Sequence, residues 1–165
     1  MILHKGEVLF RQGELGPLFR IKKGLFKVVR IHEDGSQFLF NLLYDGEFIP
    51  HHSLISPKEY HGTAIALVTS EVERIPKDEW YASLAKNPER YRNIALIMQD
   101  KLRVMQQRID HLTAITPKER FELFEQWFKR YVPGYKLTDV LTQEEIGQFI
   151  GMRRETINRV LRSLY

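Results

Sequence analysis

The side chains best suited to chemistry lie in the last quarter of the chain. From position 153 onward four arginines, Arg153, Arg154, Arg159 and Arg162, stand against the single acid Glu155, with Thr142, Thr156 and Asn158 close by. Such a basic patch is what phosphate attraction and counterion release require. An arginine fork pairs bidentately with guanine, and a carboxylate can accept from the cytosine amine. No residue is assigned a catalytic role, and the chain is not read as an enzyme.

To present these groups the local chain must be two short helices crossing at a steep angle. That crossing needs a small residue where the backbones touch and a residue tolerant of positive φ at the bend, and Gly147 and Gly151, four apart, supply both. Ile146, Ile150, Met152, Ile157 and Val160 fall on a shared apolar seam, leaving Arg154, Glu155, Asn158, Arg159 and Arg162 outward. Thr142 followed three residues later by Glu145 is a capping box that marks the start of the first helix. Any amphipathic helix shows such intervals, and Glu155 with Arg159 is also an ordinary helix ion pair. The glycines, seam and capping box together favour a helix-turn-helix whose outward face enters a DNA major groove.

At 165 residues, 43% hydrophobic and 28% charged, the chain has the composition of a globular protein of one or two domains. The absence of cysteine excludes disulfides, thiolate zinc sites and Cys-ligated iron–sulfur clusters. No apolar run is long enough for a signal peptide or a membrane span, so a cytoplasmic location without membrane association is expected. The net charge of +4 is modest, and its concentration near the end says more.

Up to about Pro76 the chain is rich in Val, Ile and Phe and carries Gly13, Gly24, Gly35 and Gly46 at intervals of eleven residues. That spacing predicts short strands joined by turns. Strands are expected over 25–31, 38–42 and 63–68, with a hairpin at His32 to Ser36 built on its Asp-Gly pair. Near Asn87-Pro88 a helix opens. Tyr91, Ala95, Met98, Leu102, Met105, Ile109 and Leu112 recur at four- and three-residue steps, a coiled-coil seam that predicts a homodimer helix. Ile94, Leu96, Ile97 and Val104 are expected to pack on the chain's own strands. A further helix from Lys118 to about Tyr131 carries Phe121, Leu123, Phe124, Trp127 and Phe128, expected as core, and ends at Val132-Pro133-Gly134-Tyr135. The fold class is α+β. It comprises an antiparallel jelly-roll-like β-roll over 1–86, a long dimerisation helix over 87–115, and a helix-turn-helix domain over 116–165 that lacks a complete wing.

This combination resembles the bacterial CRP/FNR family, named for the cyclic-AMP receptor protein and the fumarate and nitrate reduction regulator. The resemblance covers nearly the whole chain. It rests on the stretch from Lys5-Gly6-Glu7 to Gly13-Glu14, on Gly46-Glu47-Phe48, on Ala64 to Leu67 leading to Ile75-Pro76, and most specifically on Ile150 to Leu161. It implies a cyclic-nucleotide-binding-like roll and base reading by Arg154, Glu155 and Arg159 at a palindromic TGTGA-like site. Arg153, Thr156, Asn158, Arg162 and Thr142 are then the expected phosphate contacts. RNA polymerase is a further partner that the resemblance leaves open.

The effector positions that the resemblance marks are Gly46, Glu47, His51, Tyr60, His61, Met105 and Gln106. Cyclic-AMP-binding members carry an acid and an Arg-Ser pair where this chain has His51, Tyr60 and His61, and Thr-Ser where it has Met105-Gln106. Losing the arginine removes a bidentate phosphate clamp, and no nearby cation clearly replaces it. Control by a cyclic nucleotide is therefore not expected, no cofactor is assigned, and the effector is an unknown small molecule or none. In this the chain shares the character of the ArcR-like and PrfA-like groups. His51, His52 and His61 lack the spacing of metal ligands and are expected as exposed loop histidines, so no metal is assigned.

Both ends are shorter than the family pattern, which adds a helix and strand before Lys5 and a β-hairpin wing after the recognition helix. A short form predicts weaker DNA affinity and an open edge at the first strand. Two other readings are a truncated dimerisation module or antagonist without DNA binding, and a cupin-like small-molecule-binding protein.

Overall fold

The computed structural model describes residues 1–165. Eight strands come first: β1 (Ile2–Leu3), β2 (Val8–Phe10), β3 (Leu18–Lys23), β4 (Leu25–Ile31), β5 (Gln37–Tyr44), β6 (Phe48–Ile49), β7 (Thr63–Ala66) and β8 (Ser70–Ile75). They form two four-stranded antiparallel sheets, ordered β1-β8-β3-β6 and β2-β7-β4-β5. The roll expected from the glycine period is present, and all four of those glycines take positive φ between strands. The Asp34-Gly35 hairpin joins β4 to β5, with the Asp34 carboxylate accepting from Ser36 N at 2.9 Å. β1 is an edge strand, as expected.

Alternation along the strands fills the roll from inside with Ile21, Phe26, Ile49, Ala64 and Val72, all essentially without exposed surface. The opposite face of the second sheet turns Leu25, Leu39 and Leu42 outward into a different cluster.

Six helices follow: α1 (Lys77–Lys86), α2 (Glu89–Thr113), α3 (Pro117–Tyr131), α4 (Leu137–Val140), α5 (Gln143–Ile150) and α6 (Arg154–Leu164). The sequence reading did not separate α1 or α4. Trp80 and Leu84 of α1 bury against Ile94 of α2 and so fasten the long helix to the roll, with Trp80 Nε1 donating to the Leu54 carbonyl at 2.8 Å. With 25 residues, α2 is about 37 Å long.

On α2 the expected division of faces holds in part. Ile94 is buried, and Ile97 and Val104 are half-buried against the chain's own core. Leu96 is exposed instead, because it falls on the side turned away from the roll. Of the seam, Tyr91, Ala95, Leu102, Met105 and Ile109 are exposed, between 43% and 59% for the four large ones. Met98 and Leu112 are half-buried within the chain, Met98 beside α1 and Leu112 against the bend at Gly151.

The aromatic face of α3 is core, but not of a small separate unit. Phe121, Phe124, Trp127 and Phe128 share one cluster with Ile146, Phe149 and Ile157 of the helix-turn-helix and with Leu25, Leu39, Leu42 and Leu67 of the roll. Each phenylalanine there, fully removed from water, contributes about 1.5–3 kcal/mol. Polar contacts reinforce the junction. Lys27 of β4 pairs with Glu145, Leu39 N donates to Gln148 Oε1 at 2.8 Å, and Arg108 donates to the Phe40 carbonyl.

Candidate functional site

The helix-turn-helix is built by short-range rules. Thr142 caps α5, its hydroxyl accepting from Glu145 N at 3.2 Å while Glu145 Oε2 accepts from Thr142 N at 2.9 Å. Burial pushes the Glu145 carboxyl up, but hydrogen bonds from Lys27 and Thr142 outweigh it and hold the group below its usual value. Gly151 ends α5 at φ 68°, the left-handed region where a side chain is strained. A Cβ on Gly147 would lie 2.3 Å from the Met152 carbonyl oxygen, so the backbones touch there and only glycine fits.

The seam closes with Ile146, Ile150, Ile157 and Val160 buried and Met152 half-buried. On the other face Arg153, Arg154, Glu155, Arg159 and Arg162 are exposed. The ordinary ion pair between Glu155 and Arg159 does not form, and these side chains have no partner within the chain. Arg153 precedes α6 without capping it. Two expected phosphate contacts stand differently. Asn158 is half-buried, its Nδ2 donating to Gln143 Oε1 at 3.2 Å, and the Thr142 hydroxyl donates to Glu145, so the fold already uses both groups.

A second feature is a cavity of about 1030 Å³ between the roll, α2 and α3. His51, Tyr60, His61 and Met105 line it, whereas Gly46, Glu47 and Gln106 do not. Gly46 is in an exposed turn and Gln106 points into solvent. Glu47 is 7% exposed and pairs with Lys101 of α2, which does line the cavity. Burial lowers the Lys101 ammonium to about 8. Tyr60 is a core residue, stacked on Phe10 at 4.3 Å and donating its hydroxyl to the Pro17 carbonyl at 2.6 Å.

The sequence reading found no replacement cation near the effector loop, and the fold corrects this. Arg30 of β4, Lys58 and Lys101 all line the cavity. Arg30 donates to the His61 carbonyl at 2.5 Å and lies 3.2 Å from its Nδ1. Lys58 sits in the effector loop itself, two residues before Tyr60, and was open to a local reading, whereas Arg30 and Lys101 come from elements far apart in the chain and carry no local signal. Trp127 of α3, read only as core, lines the cavity as well.

Residues 1–87 match the cyclic nucleotide-binding domain family, and residues 140–164 match the crp family of bacterial regulatory proteins. The chain belongs to the CRP/FNR family. It is similar to the regulatory protein HlyX of Actinobacillus pleuropneumoniae, 27% identical over 96% of this chain and 68% of the relative. It is also similar to the transcriptional activator protein anr of Pseudomonas aeruginosa, 27% identical over 96% of this chain and 67% of that protein. These relatives are regulators rather than enzymes. The chain spans 60 to 68% of the length of HlyX and two anaerobic regulatory proteins that it matches. The fold is that of FixK2 from Bradyrhizobium japonicum, with TM-score 0.82 and 18% identity over 99% of this chain and 82% of that one.

Within this CRP/FNR roll the three histidines are not alike. His52 and His61 are exposed as expected, but His51 is not, its side chain retaining 17% of its accessible surface beside Glu47 at 3.8 Å. No group of three or more His, Asp or Glu residues with metal-site geometry forms. Burial, helped by the charge of His52, lowers His51 to about 4. The unfolded chain therefore takes up this proton first, near pH 6.5. The associated stability is present above that pH and is lost as pH falls from 6.5 toward 4. Between pH 7.5 and 5 the loss from this residue is expected to be about 2 kcal/mol. Thermal melts followed by circular dichroism at both pH values check this, with His51→Gln expected to shrink the difference.

Proposed function

We propose that this chain is a sequence-specific DNA-binding regulator that acts as a homodimer on a palindromic TGTGA-like site and is not controlled by cyclic AMP. The observation that carries the reading is the outward face of α6. Arg154, Glu155 and Arg159 stand exposed and unpartnered, while the opposite face is locked against α5. Arg154 and Glu155 occupy the first turn, the part of a recognition helix that meets base edges. Arg153, Thr156 and Arg162 flank them for phosphate contact.

The exposed apolar stripe of α2 supports pairing with a second copy, since a symmetric operator matches a two-fold dimer. Residues 1–86 then form the effector-type roll, 87–115 the dimer helix and 116–165 the DNA-binding unit. No helix is long and apolar enough to cross a membrane. The proposed location is cytoplasmic, and RNA polymerase is a further partner that the resemblance leaves open. Independence from cyclic AMP is supported by Tyr60 and His61 at the phosphate-clamp positions, since neither offers the charged fork of arginine.

Fluorescence-anisotropy titration against a palindromic and a scrambled duplex, at two salt concentrations and without effector, tests the reading. Preference for the palindrome is expected, and equal binding to both would sink it. The dimer is tested separately. Leu102→Glu with Ile109→Glu places charges on the exposed stripe, and light scattering is expected to show a monomer whose palindrome affinity falls about a hundredfold with the lost bivalency. A variant that stays dimeric would move the interface elsewhere.

A further inference from the structure

Where the cavity meets α3, two buried hydrogen-bond donors have no acceptor in the protein, Trp127 Nε1–H and Arg108 Nε–H. Protein interiors seldom leave such groups unpaired. Trp127 is 8% exposed and lines both the main cavity and an adjoining recess of about 70 Å³. That recess shares Phe40, Asn41, Val104 and Met105 with the main cavity, and Arg108 closes it.

The charge of Arg108 is also unanswered. One guanidinium nitrogen donates to the Phe40 carbonyl and its carbon lies 3.9 Å from the Phe149 ring centroid, but no carboxylate pairs with it. Arg108 is half-buried with its Nε enclosed, and a partly desolvated cation without a counter-ion is costly, so an anion that accepts from both orphan donors would offset that cost.

The charge around the cavity favours the same class of ligand. Glu47 behind the wall neutralises Lys101, and Arg30 and Lys58 then face the single lining carboxylate Glu59, which leaves the cavity one positive charge in excess before Arg108 is added. Much of the remaining wall is apolar, including Phe10, Leu15, Val28 and Leu42. At about 1030 Å³ it lies just above the roughly 300–1,000 Å³ usual for small-molecule sites.

We infer that the cavity binds an organic anion with an apolar body, its charged end held between Trp127 and Arg108. Trp127 belongs to α3 and Arg108 to α2, so the anion joins the dimer helix to the DNA-binding unit by direct contact. This assigns the effector class of the regulator proposed above and rests on that reading for its consequence, though binding itself is measured without DNA.

Isothermal titration of the full chain with sodium octanoate, 1-octanol and cyclic AMP tests the inference. Octanoate is expected to bind saturably, with 1-octanol about tenfold weaker or more, since a hydrogen-bonded charge supplies that margin. Trp127→Phe and Arg108→Met are each expected to weaken octanoate about tenfold. In a Trp80→Phe background Trp127 is the only tryptophan left, and its emission is expected to shift on binding. Absence of octanoate binding, equal binding of the alcohol, or displacement of octanoate by tighter cyclic AMP would each overturn the inference. So would unchanged affinity in both variants. The acid and alcohol comparison uses the unaltered chain, so it stands even where a variant fails to fold. A chain that binds octanoate but no palindrome would retain this site and lose the regulator reading, and the converse result would separate them the other way.

Discussion

Replacing Arg154 and Glu155 by alanine is expected to abolish discrimination between the palindromic and scrambled duplexes while leaving the fold intact. Both side chains are exposed and neither has an ion-pair or hydrogen-bond partner within the chain, so their removal strands no buried group. Surface changes of that kind usually stay within about 0.5 kcal/mol of stability. Each base contact supplies about 1–3 kcal/mol of discrimination, and a two-fold dimer makes each contact twice. Specific affinity should therefore fall by a hundredfold or more, roughly, while the salt-dependent binding carried by Arg153 and Arg162 persists. Anisotropy titrations of the variant at two salt concentrations measure both quantities. Retained preference for the palindrome would place base reading on another surface.

The largest effect on stability is expected at Gly147. In an ordinary helix interior glycine to alanine stabilises by about 0.5–1 kcal/mol, because glycine loses more freedom on folding. Here the added carbon would meet the Met152 carbonyl oxygen at 2.3 Å, and that contact is backbone rather than a side chain that could swing away. Met152 N also donates to the Gly147 carbonyl at 2.8 Å, so the clash falls where the bend is closed.

Overpacking of this kind costs about 1–3 kcal/mol, and Gly147→Val is expected at or above the upper end. At about 2–4 °C per kcal/mol for a chain of this size, the melting temperature should drop by roughly 6–12 °C. Specific DNA binding should go with it, because α6 can no longer keep its angle to α5. Gly151→Ala is the useful contrast. Its penalty comes from the φ of 68° and a single 3.3 Å approach to Leu112 Cδ2, so about 1–2 kcal/mol is expected. Circular-dichroism melts rank the two, and a milder Gly147→Val than Gly151→Ala would mean that the helices do not touch there.

The amino-acid order by itself determined the helix-turn-helix, because every device in it acts within a few residues. The Thr142 and Glu145 box, the left-handed Gly151 and the Ile146 to Val160 seam need no distant partner to be recognised. The strands on either side of Gly35, β4 and β5, and the later β7 were legible for the same reason, as was the apolar excess on α2, whereas β3 before Gly24 and β6 after Gly46 were not read. The Thr116 and Glu119 capping box at the head of α3 carries the same local signature and was open to the same reading.

The tertiary structure decided which surface covers each apolar face and which distant side chains share a cavity. Periodicity marked Phe121, Phe124 and Phe128 as buried, but only the packing of α3 and α5 on the roll made their cluster continuous with Leu25, Leu39 and Leu42. Glu47 was singled out as an effector residue, and only the approach of α2 turned it into the partner of Lys101. Arg30, Lys101 and Trp127 lie on β4, α2 and α3 and meet the effector loop at one cavity through folding alone. A helix or strand period reports which side of an element avoids water, and it carries no information about the element that comes to lie against that side.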